Sequence, residues 1–204
     1  MSLTALGQLA LSALWVALPV TIAAVSHMFV VKKDLFSWAR RPLDGGRCLG
    51  GERWLGDNKT WRGVLWMSLA AMVAGAGQGL LAGDWAAASG LLPGRPADWG
   101  VGAGRLTAAL AHGEIMLLLG LGYVLGELPN SFLKRRLAIA PGRTAQSVLG
   151  LVFFLVDQAD SVVCGIGLAA LLYGWGWRFF LVALATLTLL HLGFNVLLYG
   201  LRVR

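Results

Sequence analysis

The sequence predicts an all-α polytopic membrane protein with about five transmembrane helices. Hydrophobic residues make up 57% of its 204 residues, charged residues only 13%, and the mean hydropathy is +0.71. Such values lie well outside those of soluble domains. Five apolar stretches reach the length of about 20 residues that a membrane-spanning helix needs, and Lys and Arg cluster between alternate stretches. We interpret the whole chain, residues 1–204, as one integral-membrane domain.

The predicted spans are residues 5–31, 64–82, 110–128, 148–172 and 179–199. The first lacks a basic N-terminal region and is longer than the apolar core of a signal peptide, so we expect it to be retained. Pro19 is expected to kink this helix, a distortion that neighbouring helices accommodate. In the second span small residues recur every four positions, at Ala71, Gly75, Gly79 and Gly83. This spacing favours close packing against another helix.

The distribution of Lys and Arg orients the predicted spans. Residues 32–62 contain eight basic residues, and residues 129–147 contain four with no acidic residue. The opposite side carries only three arginines, Arg95, Arg105 and Arg178. Because cytoplasmic loops are enriched in Lys and Arg, we expect the N-terminus outside, both basic loops and the C-terminus in the cytoplasm, and the protein in the cytoplasmic membrane. The positive charge then faces anionic lipid head groups and soluble anions rather than nucleic acid.

Two aspartates interrupt the fourth predicted span. Asp157 and Asp160 are three residues apart in an otherwise apolar run, where a carboxylate costs about 3 kcal/mol to insert. At this spacing they share a helix face, so their charges repel unless a cation lies between them. Two interpretations follow, a buried polar patch with one aspartate protonated and a divalent-metal site at the membrane boundary. Glu127, at the cytoplasmic end of its span, is a third carboxylate at a similar level or a side chain that reaches out to water.

The first basic loop contains two glycine-rich motifs, Pro-Leu-Asp-Gly-Gly-Arg at 42–47 and Gly-Asp-Asn-Lys-Thr-Trp-Arg-Gly at 56–63. Glycine lets a backbone turn tightly and approach a ligand closely. Lys59 and Arg62 provide phosphate-binding donors, and Thr60 a hydroxyl. Ordinary positive-inside charge with turn residues would explain the cations but not the neighbouring Asp57 and Asn58. The glycine spacing differs from that of a Walker A loop, so the segment indicates anion binding of another kind.

The second basic loop follows Glu127 and reads Leu-Pro-Asn-Ser-Phe-Leu-Lys-Arg-Arg over residues 128–136. We expect Pro129 and Asn130 to end the third span and Ser131 to cap a short interfacial helix. That helix would carry three adjacent cations, Lys134, Arg135 and Arg136. These cations could hold anionic lipid or clamp a triphosphate, and both interpretations hold if the substrate is a lipid phosphate.

Taken together, these motifs resemble those of the CDP-archaeol synthase family and, more distantly, the phosphatidate cytidylyltransferase family. The resemblance rests on residues 42–47, 56–63 and 126–136, on Pro141-Gly142, and on Asp157-Gln-Ala-Asp160. The wider family carries Ser-x-x-Lys-Arg, here beginning at Ser131, and a later Asp-Arg-x-Asp. Gln158 stands in place of that Arg, and the Lys-Asp that follows the first motif is absent. Both departures favour the archaeol-type branch.

The resemblance implies transfer of CMP from CTP to a lipid phosphate, with release of pyrophosphate and with Mg²⁺ as cofactor. Because the second pKa of a phosphate monoester is about 6, the acceptor is already ionised and needs no strong base. The metal would be held by Asp157 and Asp160, with Glu127 as a further candidate. The phosphates would meet three cations, Lys134, Arg135 and Arg136. The remaining substrate contacts would come from Asp57, Asn58, Lys59, Thr60, Arg62 and Ser131.

The expected partners are CTP, a lipid phosphate with ether or ester chains, membrane lipids, and a second copy of the chain if it forms a homodimer. Two other classes of protein remain open. A small transporter would use Asp157 and Asp160 to carry protons or cations, although the sequence has no inverted repeat or paired broken helices of the kind transporters show. A membrane scaffold would bind anionic lipid through its basic loops, but it would not need aspartates within a span. The gathering of polar groups on one predicted membrane face favours the enzyme.

Overall fold

The structure, a computed structural model, describes residues 2–88, 91, 104–141 and 148–200. Five long helices make up most of it: α1 Leu3–Lys32, α2 Trp61–Ala88, α3 Gly104–Arg136, α4 Val148–Tyr173 and α5 Trp177–Gly200. All five are long and apolar enough to cross a membrane, which confirms the predicted number of spans. Helices α2 and α3 extend beyond the predicted spans at both ends. Between the second and third predicted spans, residues 84–88 belong to α2 and residues 104–109 to α3.

Helix α3, which is 33 residues long, lies at the centre of the bundle. It packs along α2 and α4, while α1 packs against α2 and α5. Each helix contributes side chains to one apolar core, for example Ala13, Met67, Met116, Ile166 and Ala183. The opposite faces expose many leucines, valines and phenylalanines. Lipid tails are as apolar as these side chains, so the exposed faces suit a protein surrounded by a bilayer.

Helices α2 and α3 approach each other closely. Ala71 is fully buried, and a Cβ atom on Gly79 would lie 2.5 Å from the carbonyl oxygen of Ala108. From the other side, a Cβ atom on Gly120 would lie 2.5 Å from the carbonyl oxygen of Met67. Such distances leave no room for a side chain, so the predicted stripe of small residues does mediate close helix packing.

The third span does not end at Pro129, contrary to the prediction. Helix α3 runs on past Pro129, so Ser131 lies inside a long helix rather than at the start of a new one. A proline in a helix interior removes one backbone hydrogen bond and costs about 3 kcal/mol. Here the following turn is bound to α4, because Asn130 and Lys134 both donate hydrogen bonds to Asp157. These contacts and the packing of neighbouring helices outweigh the local preference.

The segment between α1 and α2 folds against the ends of α2 and α3. It contains a 3₁₀ turn at Ser37–Ala39 and a short antiparallel hairpin of β1 Cys48–Leu49 and β2 Glu52–Arg53. Gly50 and Gly51 form the hairpin turn with positive φ angles of 61° and 84°, as a tight two-residue turn of this kind requires. An isolated antiparallel β-bridge between Pro42 and Thr60 closes the loop at the start of α2.

One end of the bundle collects four segments: the end of α1, the start of α2, the end of α3 and the first half of α4. Side-chain hydrogen bonds link these segments to one another. The described parts of both basic segments therefore lie at this end, and the candidate site is built there.

Candidate active site

Asp157 and Asp160 lie one turn apart on α4 and receive hydrogen bonds from α3. The amide Nδ2 of Asn130 donates to Oδ1 of Asp157 at 2.6 Å and to Oδ2 of Asp160 at 2.7 Å. The Lys134 ammonium donates to both carboxylate oxygens of Asp157, at 2.5 and 2.7 Å. The carboxylates, which are costly in an apolar span, are therefore satisfied within the bundle.

Three polar residues of α3 face this cluster. Glu127, Asn130 and Lys134 follow one another at spacings of three and four residues, which places them on one face of the helix. Glu127 accepts a hydrogen bond from the Lys59 ammonium, so the first basic loop is joined to α3 across the site. Ser131 lies half-buried on the same helix, next to Asn130. The first loop and α3 thus contribute to one polar cluster.

Close contact between α3 and α4 holds the two halves of the cluster together. A Cβ atom on Gly126 would overlap the backbone carbonyl of Asp160 and would lie 2.8 Å from the Cβ of Cys164. A Cβ atom on Gly122 would lie 2.7 Å from the Cα of Gly165. Glycine at these positions lets the helices approach closely enough for the hydrogen bonds between them.

The carboxylate pair suits a Mg²⁺ ion that binds together with a phosphate substrate. Within the described residues, His, Cys, Asp and Glu form no group of three or more that could hold a metal. Two carboxylates are nevertheless sufficient, because Mg²⁺ is commonly held by one or two carboxylates plus substrate phosphates. The Oδ1 atom of Asn130 is buried and has no hydrogen-bond partner, so it offers a further oxygen ligand of the kind that Mg²⁺ accepts. The donor set therefore fits this ion.

The predicted trio of cations on α3 separates into three environments. Lys134 binds the carboxylate of Asp157. Arg136 donates to backbone carbonyls of the hairpin, at 3.0 Å to Glu52 and 2.7 Å to Arg53, and so clamps the hairpin to α3. Arg135 is only 5% exposed, and its Nε and Nη1 atoms have no hydrogen-bond partner. A buried cation without a partner is costly, so the position of Arg135 favours an anionic ligand.

The first loop meets the segment after α3 at Gly56. This residue has a φ of +100°, and a Cβ atom on it would lie 3.1 Å from Cγ of Pro141 and 3.7 Å from Nη1 of Arg135. Its backbone therefore packs tightly against Pro141 and lies near the buried guanidinium of Arg135. Asp57 and Asn58 follow directly and are exposed, so their side chains are accessible to a ligand that binds near Arg135.

Two of the predicted substrate-binding residues make structural contacts at the start of α2. Arg62 is 6% exposed and donates to Oδ1 of Asp34 at 2.7 Å and to the carbonyl of Leu35 at 3.2 Å. The hydrogen bond from Arg62 holds the pKa of the Asp34 carboxyl below its usual value. Thr60 is buried, and its hydroxyl accepts a hydrogen bond from the N–H of Gly63, as an N-cap residue does. Phosphate binding by Arg62 would require its present contacts to break.

Asp44 organises the first loop, although it was not among the predicted site residues. Its side chain is fully buried and accepts hydrogen bonds from Arg53 and from the backbone N–H groups of Gly46, Leu55 and Gly56. Burial raises the pKa of Asp44, but Arg53 and these backbone donors outweigh burial and hold the pKa well below its usual range. The sequence does contain a signal for this role, because an Asp followed by two glycines is typical of a turn in which the carboxylate accepts backbone hydrogen bonds.

Comparison with known proteins identifies the family. A family model described as CarS-like, CDP-archaeol synthase, matches residues 6–204. The chain belongs to this family. The CDP-archaeol synthase of Methanopyrus kandleri is 36% identical over 196 residues, which cover 94% of this chain and 89% of that protein. The CDP-archaeol synthase of Halorubrum lacusprofundi is 32% identical over 207 residues, which cover 98% and 97% of the two chains.

A solved structure agrees with this assignment to the CDP-archaeol synthase family. It belongs to an intramembrane enzyme for archaeal membrane lipid biosynthesis and is 30% identical to this chain. The match has a TM-score of 0.57 and covers 90% of this chain and 92% of the other. The chain is therefore a multi-pass membrane protein of an enzyme family, and the comparisons favour the enzyme over the transporter alternative.

Proposed function

We propose that the protein transfers CMP from CTP to a membrane lipid phosphate, giving a CDP-lipid and pyrophosphate for phospholipid biosynthesis. The observation that carries the proposal is that cations from both basic segments bind carboxylates at one end of the bundle, Lys134 at Asp157 and Lys59 at Glu127. Carboxylates suit a metal–nucleotide complex, and Lys and Arg suit phosphates. Membership of the CDP-archaeol synthase family supports CTP as the nucleotide and an archaeol-type phosphate as the acceptor.

We infer that Mg²⁺ is the cofactor and that Asp157, Asp160 and the free Oδ1 of Asn130 would hold it. When bound, the ion would neutralise charge on the triphosphate. Glu127 is a further candidate, and its carboxylate pairs with the Lys59 ammonium in the structure.

The chemistry requires alignment and charge stabilisation more than proton transfer. An oxygen of the lipid phosphate forms a bond to the α-phosphorus of CTP, and the bond from that phosphorus to the oxygen bridging the α- and β-phosphates breaks, so that the β- and γ-phosphates leave as pyrophosphate. The attacking phosphate has a second pKa of about 6, so it is charged at neutral pH without a catalytic base. Lys134 and Arg135 on α3 and Lys59 in the first loop are proposed to bind the phosphates.

The first loop is proposed to hold the nucleotide. Asp57 and Asn58 are exposed beside Gly56, where they can offer hydrogen-bonding groups to the base or ribose of CTP. The hydroxyl of Ser131 lies between the carboxylate cluster and Arg135 along α3 and is proposed to contact a phosphate. Arg136 is proposed to act on the nucleotide indirectly, because its contacts in the structure are with the hairpin.

The protein is proposed to lie in the cytoplasmic membrane, with its site facing the cytoplasm. The excess of Lys and Arg in the segments at this end of the bundle supports that orientation, since cytoplasmic loops are enriched in these residues. The N-terminus would then lie outside and the C-terminus inside. A homodimer is a further proposal, which the mass of the detergent-solubilised protein would test.

The proposal is tested with the purified full-length protein in detergent, CTP, Mg²⁺ and separate lipid acceptors. One acceptor is an ether-linked archaeol phosphate, and the other is an ester-linked phosphatidate. We expect CTP-dependent formation of CDP-lipid and pyrophosphate, detected by mass spectrometry, with the ether lipid preferred. ATP, GTP and UTP serve as nucleotide controls. Absence of CDP-lipid with every acceptor, in a sample that is folded and monodisperse, would overturn the proposal.

A further inference from the structure

Lys134 occupies the place at Asp157 that a metal ion would need. Its ammonium donates to both oxygens of that carboxylate, and it lies 5.6 Å from the centre of the Phe153 ring. The Asn130 amide donates to the same Oδ1 atom. A carboxylate oxygen has two lone pairs, so Oδ1 of Asp157 is fully occupied by Asn130 and Lys134.

A divalent ion and Lys134 therefore compete for Asp157. A cation that took Oδ1 would have to displace one of the two present donors, and repulsion between positive charges makes the ammonium the one expected to leave. The lysine stem is long and flexible, and Mg²⁺ in proteins is commonly held by carboxylates together with substrate phosphates. A released ammonium would thus be able to reach a phosphate.

Resting on the function proposed above, we propose that Lys134 exchanges partners, binding Asp157 in the substrate-free protein and a phosphate in the loaded one. The divalent cation and CTP then bind cooperatively, because the cation releases the lysine that the nucleotide needs. By linkage, CTP must strengthen cation binding by the same factor. Asp160 takes no part in the exchange, since its carboxylate accepts hydrogen bonds from Asn130 and Ser161 and not from Lys134.

The experiment measures CTP binding by isothermal titration calorimetry without lipid acceptor, once in EDTA and once in Mg²⁺. The test variant is Asp157→Asn, which removes the carboxylate that holds Lys134. In EDTA this variant should bind CTP about fivefold more tightly than the wild type, the size expected for release from a partly exposed ion pair. The wild type should gain affinity on addition of Mg²⁺, whereas the variant should gain little.

Asp160→Asn is the matched control, because it makes the same change in charge and leaves the contact between Lys134 and Asp157 in place. General relief of repulsion would tighten CTP binding equally in both variants, and that outcome would refute the exchange. No tightening in Asp157→Asn would refute it as well. Adding Lys134→Met to Asp157→Asn should abolish the gain, and a persistent gain would show that another residue is responsible.

These outcomes are separable from the failure of the proposed function. A wild-type protein that makes CDP-lipid but binds CTP equally well in EDTA and Mg²⁺ would retain its function and lose the exchange. A protein that binds CTP cooperatively with Mg²⁺ but forms no CDP-lipid with any acceptor would retain the exchange and lose the proposed function.

Discussion

Asp44→Asn is expected to loosen the first loop and to raise the KM for CTP, with little change in kcat. The new amide keeps one acceptor oxygen and replaces the other with an NH₂ group. Even in the orientation that preserves most contacts, the Gly46 N–H and the Arg53 Nη2 lose the oxygen that they bind at 3.0 and 2.5 Å. The Asp44 side chain is 0% exposed, so water replaces these bonds poorly.

The magnitude follows from these two hydrogen bonds. Each hydrogen bond to a charged group contributes about 1.5–3 kcal/mol. The Arg53 side chain is 27% exposed, so water competes for its hydrogen bond and reduces that contribution. We therefore expect a loss of about 2–3 kcal/mol in the free energy of opening the loop, which corresponds to roughly 30- to 140-fold faster local amide exchange.

Hydrogen exchange measured by mass spectrometry on peptides covering residues 44–57 provides the assay, alongside CTP kinetics. Asp57→Asn is the matched control for exchange. It makes the same charge change at a carboxylate that also binds Arg53, but its side chain is 80% exposed, so little effect is expected. Unchanged exchange in Asp44→Asn, or equal effects of both variants, would refute the argument that the buried carboxylate organises the loop.

The effect of Asp44→Asn should not depend on pH in the neutral range. The pKa of Asp44 is held below its usual range in the folded protein, whereas an unfolded Asp titrates near a pKa of about 3.9. The stabilisation from the carboxylate is therefore fully present above that value and is lost as the pH falls through the folded pKa. The difference in exchange should be constant between about pH 5 and pH 8; a difference that grew or shrank across this range would mean that another group controls the loop.

Four further substitutions test the rest of the site. Gly126→Ala should push α4 away from α3, lower the free energy of unfolding by about 1–3 kcal/mol and reduce turnover, which thermal unfolding and product formation would measure. Gly77→Ala is its control, because a Cβ atom at Gly77 would meet nothing within 4 Å. Equal effects of the two variants would contradict the argument that α3 and α4 are in close contact at Gly126. Asp157→Asn and Asp160→Asn should each lower kcat by about 100-fold or more in protein with a wild-type circular dichroism spectrum, and near-normal turnover in both would remove the metal assignment. Lys59→Ala should raise the KM for CTP by about tenfold, and an unaltered KM would exclude Lys59 from the nucleotide site.

The number of membrane helices could be predicted from the sequence because it follows from composition and length alone. The boundary at Pro129 could not, because it depends on a contact with another helix. A local rule ends a helix near proline, whereas Asn130 and Lys134 are held in α3 by Asp157, which lies 27 and 23 residues further along the chain. Predictions of this kind fail where a distant partner decides the local structure.

The candidate site shows the same division. Residue type and charge identified Lys59, Glu127 and Asp157 as candidate functional residues, because charged groups are costly in an apolar chain. Their partners were not predictable, because the ion pair between Lys59 and Glu127 joins residues 68 positions apart. Asn130 was interpreted only as a helix terminator, since nothing in its local sequence indicates that it lies between two carboxylates.

The length of α3 has a consequence for how the acceptor reaches the site. At 33 residues the helix is about 50 Å long, which exceeds the roughly 30 Å of hydrocarbon in a bilayer. Glu127 and Asn130 lie in its last turns and so can stand at the level of the lipid head groups. A lipid acceptor could then arrive by lateral diffusion within its leaflet and keep its chains in the bilayer throughout. Its rate of supply would depend on its mole fraction in the membrane rather than on its concentration in bulk solution.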